Sequence, residues 1–283
     1  RSFNPATSYT KTVHLTPTLV LLKGHTMNPC FKNLDRIEFV MTYACTGKCK
    51  HCSEGEHTAS GGHIDGKAAV RAVKELCESY KIDSLMTFGG EPLLFPNEVC
   101  MIHSAALKAG IAKRQIITNG FFSRDPAVIR SVAERLAGSG VNNILLSVDA
   151  FHQEHIPLEP VTEFAIAVKS AGIPIKTQPA WLVSKSDNNK YNLITRDILK
   201  KFEDIGINQS SGNVIFPEGN ALKYLSEYFD TANLPENPYV ENPYDIHAIS
   251  ISPDGSVLGG NINCTGIIDI IENYTPEREI SDI

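Results

Sequence analysis

The sequence predicts an α/β fold, an open and partial (β/α)6 TIM-like barrel with a small C-terminal hairpin/helix extension. Three observations carry this expectation. From residue 35 onward, apolar β-branched runs alternate with stretches of helical period. Six such strand–helix units occur, too few for a closed barrel of the TIM type. Polar and metal-ligating residues gather just after the apolar runs, where α/β folds place their chemistry.

The strands are read at 36–44 (RIEFVMTYA), 84–90 (SLMTFGG), 115–120 (QIITNG), 142–149 (NNILLSVD), 175–183 (IKTQPAWLV) and 210–219 (SSGNVIFPEG). Near-continuous apolar runs suit strands buried on both faces, so a parallel sheet covered by helices is expected. Between them lie GKAAVRAVKELCESY, NEVCMIHSAALKAG, PAVIRSVAERLAGSG, VTEFAIAVKSAG and TRDILKKFEDIG. Several of these helices close on a glycine, which best tolerates the left-handed C-cap. After residue 219 the rhythm changes. ALKYLSEYFDTA reads as one more helix, NLPENPYVENPYD as a loop, AISISPDGSVLGG as a hairpin turned at Pro-Asp-Gly, and GIIDIIENY as a final short helix. The division expected is an N-terminal extension over 1–34, a core over 35–219 and a small extension over 220–283.

Composition bounds the function. The chain has 283 residues, 42% hydrophobic and 20% charged, with a formal net charge of -6. That balance argues against a general nucleic-acid-binding surface. No apolar run of about 18 residues occurs, so no membrane partner is expected. The stretch LTPTLVLLKGH (15–25) is too short for a span and lacks a cleavage site, so it is not read as a signal peptide. Seven cysteines make a poor disulfide framework and point to a reducing, cytoplasmic setting. Cys77 and Cys100 fall in helical patterns and read as small buried hydrophobes, while Cys30 is uninformative.

The motif that carries chemistry is CTGKCKHC, which spaces Cys45, Cys49 and Cys52 as C-x3-C-x2-C directly after the first strand. Thiolates are soft ligands that select zinc or iron–sulfur. A structural zinc site closes with four ligands, and His51 or His57 is available as the fourth. A [4Fe–4S] cluster held by three cysteines instead leaves one iron open to an outside ligand. The spacing does not suit a thioredoxin-like redox pair.

Together with Gly89-Gly90-Glu91-Pro92 after the second strand, this triad resembles the radical S-adenosylmethionine (SAM) enzymes. The resemblance covers residues 36–219, with a weaker tail to about 275. One departure is His51, where the family usually has an aromatic residue. The resemblance implies that Cys45, Cys49 and Cys52 hold a [4Fe–4S] cluster whose fourth iron takes the amino and carboxylate groups of SAM. One electron then cleaves the sulfonium, and the 5′-deoxyadenosyl radical removes a hydrogen atom from the substrate. It also implies an electron donor of the flavodoxin or ferredoxin type.

Further SAM contacts follow from the same resemblance. Gly89 and Gly90 lack Cβ and allow close backbone approach, Glu91 accepts from the cationic amino group, and Pro92 stiffens the turn. Thr118 and Asn119 supply hydrogen bonds at the third strand end, although Asn119 equally suits a left-handed turn before Gly120. Ser147 and Asp149 share one side of their strand, where the family places ribose contacts; the alternative for Asp149 is a buried cap on the next loop. His152 and His155 in FHQEH read as surface or supporting histidines, not as a second metal site. Gln178 and Trp181 are placed to line an adenine pocket, with core packing the alternative for the single Trp. In FPEGNA, Asn220 stands where relatives often carry arginine.

DAFHQEHIP and the tail resemble radical SAM enzymes that modify peptides, including peptide epimerases and members with SPASM or twitch extensions. Only Cys264 lies in the tail, too little for an auxiliary cluster. The resemblance makes Cys264 a candidate hydrogen-atom donor over the open barrel end, and a buried apolar role is the alternative. The expected substrate is a peptide or protein. A small-molecule substrate and a zinc-stabilised binding module are the competing readings.

Overall fold

The computed structural model describes residues 27–230, 232 and 237–276. Residues 1–26 of the expected N-terminal extension, with the apolar stretch 15–25, lie outside the described residues. In chain order the elements are β1 (Arg36–Val40), α1 (Gly66–Ser79), β2 (Ser84–Phe88), α2 (Pro96–Lys108), β3 (Lys113–Thr118), α3 (Pro126–Gly138) and β4 (Asn143–Leu146). Then come α4 (Ala150–Gln153), α5 (Leu158–Ser170), β5 (Ile175–Thr177), β6 (Ala180–Trp181), α6 (Lys190–Asp204), β7 (Asn213–Val214) and α7 (Gly219–Tyr224). The tail adds β8 (Ala248–Ile251), β9 (Ser256–Val257), β10 (Gly260–Asn261) and α8 (Ile267–Glu272).

The main sheet has six strands in the order β5-β4-β3-β2-β1-β8, and each neighbouring pair is parallel. No strand pairing among the described residues closes its two edges, so the barrel is partial. Register aligns Val40 with Phe88 and Thr118 with Leu146, so the loops after successive strands emerge at one edge. Helices cover the sheet with small apolar faces. On α1 these are Ala68, Ala69, Ala72, Val73 and Leu76, the spacing of one helical stripe. Asp65 caps α1 by accepting from Lys67 N and Ala68 N. The expected glycine stops are present: Gly110 and Gly140 follow α2 and α3 with positive φ, and Ile111 N and Val141 N reach back to Ala106 O and Leu136 O.

The strand set differs from the sequence reading in three places. The run 175–183 breaks at Pro179, which has no N–H to donate, and gives β5 and β6. The run 210–219 yields only β7, whose two residues are exposed and pair with β6 in a separate ladder. The sixth strand of the main sheet is β8, which the sequence reading placed in the extension's hairpin; it pairs with β1 in parallel and buries Ile249 and Ile251. Pro253-Asp254-Gly255 turns the chain from β8 to β9, and the hairpin forms one step later between β9 and β10. The tail then packs on α1. Arg71 donates to Ile262 O, and Glu75 accepts from Ile267 N at 2.9 Å.

Candidate functional site

Between β1 and α1 the chain forms a loop whose arms join. Thr42 Oγ1 donates to Gly62 O at 2.7 Å, Cys45 N to Thr58 O at 2.9 Å, and Ile64 N to Met41 O at 3.0 Å. The tip of this loop carries the three cysteines, with Cys49 buried and Cys45 and Cys52 half-buried. Gly47 lies under two of them. A Cβ built on it would stand 3.2 Å from Cys49 Sγ and 3.7 Å from Cys45 Sγ, so these sulfurs overlook a hollow that a side chain would fill. Burial pushes the Cys45 thiol up to about 12 and the Cys52 thiol up to about 11. Such groups become thiolates at neutral pH only with a bound cation to compensate. Soft donors grouped beside a residue without a side chain, and in need of a cation, fit an iron–sulfur cluster.

GGEP lies against the strand leading into this loop. Gly90 N donates to Thr42 O at 2.7 Å and Glu91 N to Ala44 O at 2.8 Å. A Cβ on Gly90 would fall 2.1 Å from Ala44 O, so only glycine fits. The close approach visible here is to the protein's own backbone. Glu91 is fully buried: Oε1 accepts from Leu93 N (2.9 Å) and Thr118 Oγ1 (2.7 Å), and Oε2 accepts from Asn119 N (2.9 Å). It thereby caps the turn begun by Pro92 and ties it to the end of β3. Burial outweighs these donors and pushes its carboxyl up to about 7.

At the end of β3, Thr118 and Asn119 are both buried. The Asn119 side-chain amide donates to Thr46 Oγ1 at 3.2 Å and approaches Cys45 Sγ at 3.6 Å. Its Oδ1 accepts from Phe121 N at 2.8 Å, so Asn119 serves both a turn and the cysteine loop. Beyond β4, Ser147 is half-buried and Asp149 wholly buried. Asp149 Oδ1 accepts from Phe151 N and His152 N and caps α4; Oδ2 accepts from Ala180 N and lies 2.9 Å from His152 Nδ1. The carboxylate is thus occupied by capping and ion pairing, the alternative left open by the sequence.

His152 stands closer to the cysteines than the sequence reading implied. Its ring, His51 and Cys49 bring ligand atoms within 4.8 Å of one another. Burial opposes a charge on His152, but the Asp149 carboxylate and Cys49 beside it hold its pKa well above the ordinary histidine value. Burial pushes His51 down to about 4, so it is neutral, with its ring 5.0 Å from those of Phe151 and His152. His57 Nε2 lies 3.1 Å from Cys52 Sγ. Behind Cys49 a second apolar cluster gathers Phe151, Ala180, Leu182, Ile215, Ala221 and Leu225.

Other candidates are not brought to this site. Trp181 is core, its Nε1 donating to Ser211 O at 2.9 Å, and Gln178 bonds Asn213 and Ser210. His155 is exposed. Cys264 is exposed on the tail loop between β10 and α8. That loop is held to the middle of α1 by Arg71 and Glu75, through Ile262 O and Ile267 N on either side of Cys264. The sequence marked Asn220 only as a departure from arginine and gave no sign of its contact to the cysteine loop, where its side chain donates to Cys49 O at 3.0 Å.

Residues 39–178 match the family model of the radical SAM superfamily. This chain belongs to the radical SAM superfamily. No curated protein matches the radical SAM chain. Among solved structures, Streptococcus suis SuiB bound to the precursor peptide SuiA is 13% identical, with a TM-score of 0.55 over 89% of this chain and 67% of that one. Native anSMEcpe with bound SAM is 15% identical, with a TM-score of 0.56 over 87% and 82% of the two chains. The form of anSMEcpe with SAM and the Cp18Cys peptide gives 14% and 0.55 over 87% and 81%. At such identities the likeness is one of fold. The chain is a radical SAM enzyme, and its cofactors are a [4Fe–4S] cluster and SAM.

Proposed function

We propose that this enzyme cleaves SAM reductively and directs the resulting radical at a peptide or protein. The observation that carries the chemistry is the meeting of the three-cysteine loop, two of whose sulfurs stand over Gly47, with the GGEP backbone, joined through Thr42 and Ala44. When bound, the cluster and SAM supply one-electron cleavage of the sulfonium and a radical that takes a hydrogen atom from the substrate. The chain's own residues hold and shield that site. Cys45, Cys49 and Cys52 would ligate three irons. Asn119 aims an N–H at the Cys45 sulfur, a contact that tunes a cluster's potential. Phe151, Leu182 and Ile215 keep water from the Cys49 side. Glu91 locks the ends of β2 and β3 where SAM would bind. The electron would come from a flavodoxin or ferredoxin.

A peptide substrate is supported by the peptides bound to SuiB and anSMEcpe in folds of this kind. The tail also exposes Tyr239, Val240 and Tyr244, apolar contacts suited to a chain-like ligand. The test is co-expression with any short open reading frame found beside the gene, and with the cell's own peptides where there is none, followed by mass spectrometry. A peptide mass change that disappears in Cys49→Ala is expected. Unchanged peptides, together with deuterium transfer to 5′-deoxyadenosine from a deuterated low-molecular-weight extract, would move the substrate to the small-molecule class.

A further inference from the structure

The loop that carries the cysteines is fastened from far away in the chain. Asn220, at the start of α7, is buried and lies 171 residues beyond Cys49. Its Nδ2 donates to the Cys49 carbonyl at 3.0 Å, and its backbone N–H donates to the Cys52 carbonyl at 2.9 Å. Cys52 N donates to Cys49 O at 3.2 Å, so the turn between the second and third cysteines is closed within and held from outside at both carbonyls. The preceding Gly219 makes the approach possible. A Cβ there would stand 2.3 Å from Ser53 O and 2.6 Å from Cys52 O, inside van der Waals contact with backbone that has little room to move. Farther along, Lys223 and Tyr224 both reach Glu56 at the exposed end of the same loop.

We propose that Asn220 is a positioning residue for the iron–sulfur site, setting the Cys49–Cys52 turn so that both sulfurs meet one cluster. This rests on the radical SAM reading of the three cysteines. The physical reason is preorganisation. A three-cysteine loop without outside anchors must lose backbone freedom on binding metal, whereas carbonyls already bonded to a buried amide have lost it on folding. Asn suits the position because one residue donates from both backbone and side chain across the span of a single turn. An arginine would place its donors too far out to reach the Cys49 carbonyl from a backbone already in contact with Cys52.

The test compares wild type with Asn220→Asp, Asn220→Ala and Lys223→Ala after anaerobic reconstitution with iron and sulfide. Asn220→Asp keeps the shape but turns an acceptor toward the Cys49 carbonyl, and Asn220→Ala only deletes the donor. Both retain the backbone bond to Cys52. Iron release to an excess of chelator, followed by loss of cluster absorbance, should be faster than wild type by about 10–100-fold for Asp, with Ala between. The unfolding midpoint of the metal-free Asn220→Ala protein should fall by only about 2–4 °C, the effect of one hydrogen bond. Lys223→Ala, which removes only exposed contacts to Glu56 and the Tyr224 ring, should release iron like wild type. Wild-type release kinetics in both Asn220 variants, or equal acceleration in Lys223→Ala, would overturn the positioning role. Wild type that takes up zinc but no iron and sulfide would overturn the radical SAM reading itself.

Discussion

Glu91 shows how much a motif residue can do before any cofactor arrives. Three protein donors converge on its carboxylate. Glu91→Ala should leave them without partners in the interior, at about 1–3 kcal/mol for each donor that cannot relax to water. A loss of about 3–5 kcal/mol in denaturant unfolding of the metal-free protein is expected. SAM binding by the reconstituted variant should weaken as well. His103 offers a pH test independent of the metal. It is fully buried, bonds Thr87 Oγ1 at 3.0 Å, and burial pushes its pKa down to about 3. Its neutral form is the folded form, so its contribution is complete above the unfolded value near 6.5 and is lost as pH falls toward 3. Between pH 7 and pH 5 the stability gap between wild type and His103→Gln should narrow by about 2 kcal/mol. A constant gap in urea titrations would contradict a neutral buried His103. The cysteines and GGEP were legible in the sequence because their spacing is local and their chemistry selective. His152 and Asn220 were not, because their partners are chosen by the fold: Asn220 meets Cys49 only when α7 packs under the loop.

The loop after β1 and the turn after β2 behave as one unit. Gly90→Ala should force its Cβ onto Ala44 O, and the backbone from Tyr43 to Cys45 must shift. Overpacking of this kind costs about 1–3 kcal/mol, and here the strain falls on the arm that carries Cys45. Reduced iron retention and SAM binding are expected. Gly62→Ala in the same loop meets nothing within 4 Å and should be neutral, which separates steric from general effects. Helix positions were well marked by period and by closing glycines, as at Gly110. Strand β7 was over-read. Its run looked apolar, yet Asn213 and Val214 are exposed and only two residues pair.

The assembled sheet depends on its tail. β8 covers the edge of β1, and α8 buries Ile267, Ile270 and Ile271. A chain ending at Glu241 should expose that edge and the apolar side of α1, and so aggregate or bind hydrophobic dye, whereas an independent appendage would leave a soluble core. This long-range pairing was hidden in the sequence, since alternation in AISI marks a strand but not its neighbour. The central claim is a single catalytic cluster that cleaves SAM, and the direct measurement is 5′-deoxyadenosine formed with dithionite and SAM by anaerobically reconstituted protein. Wild type should carry about four irons and four sulfides per chain and form deoxyadenosine, while Cys45→Ala, Cys49→Ala and Cys52→Ala should form none. Wild type with a full cluster that yields no deoxyadenosine under any reductant would contradict it.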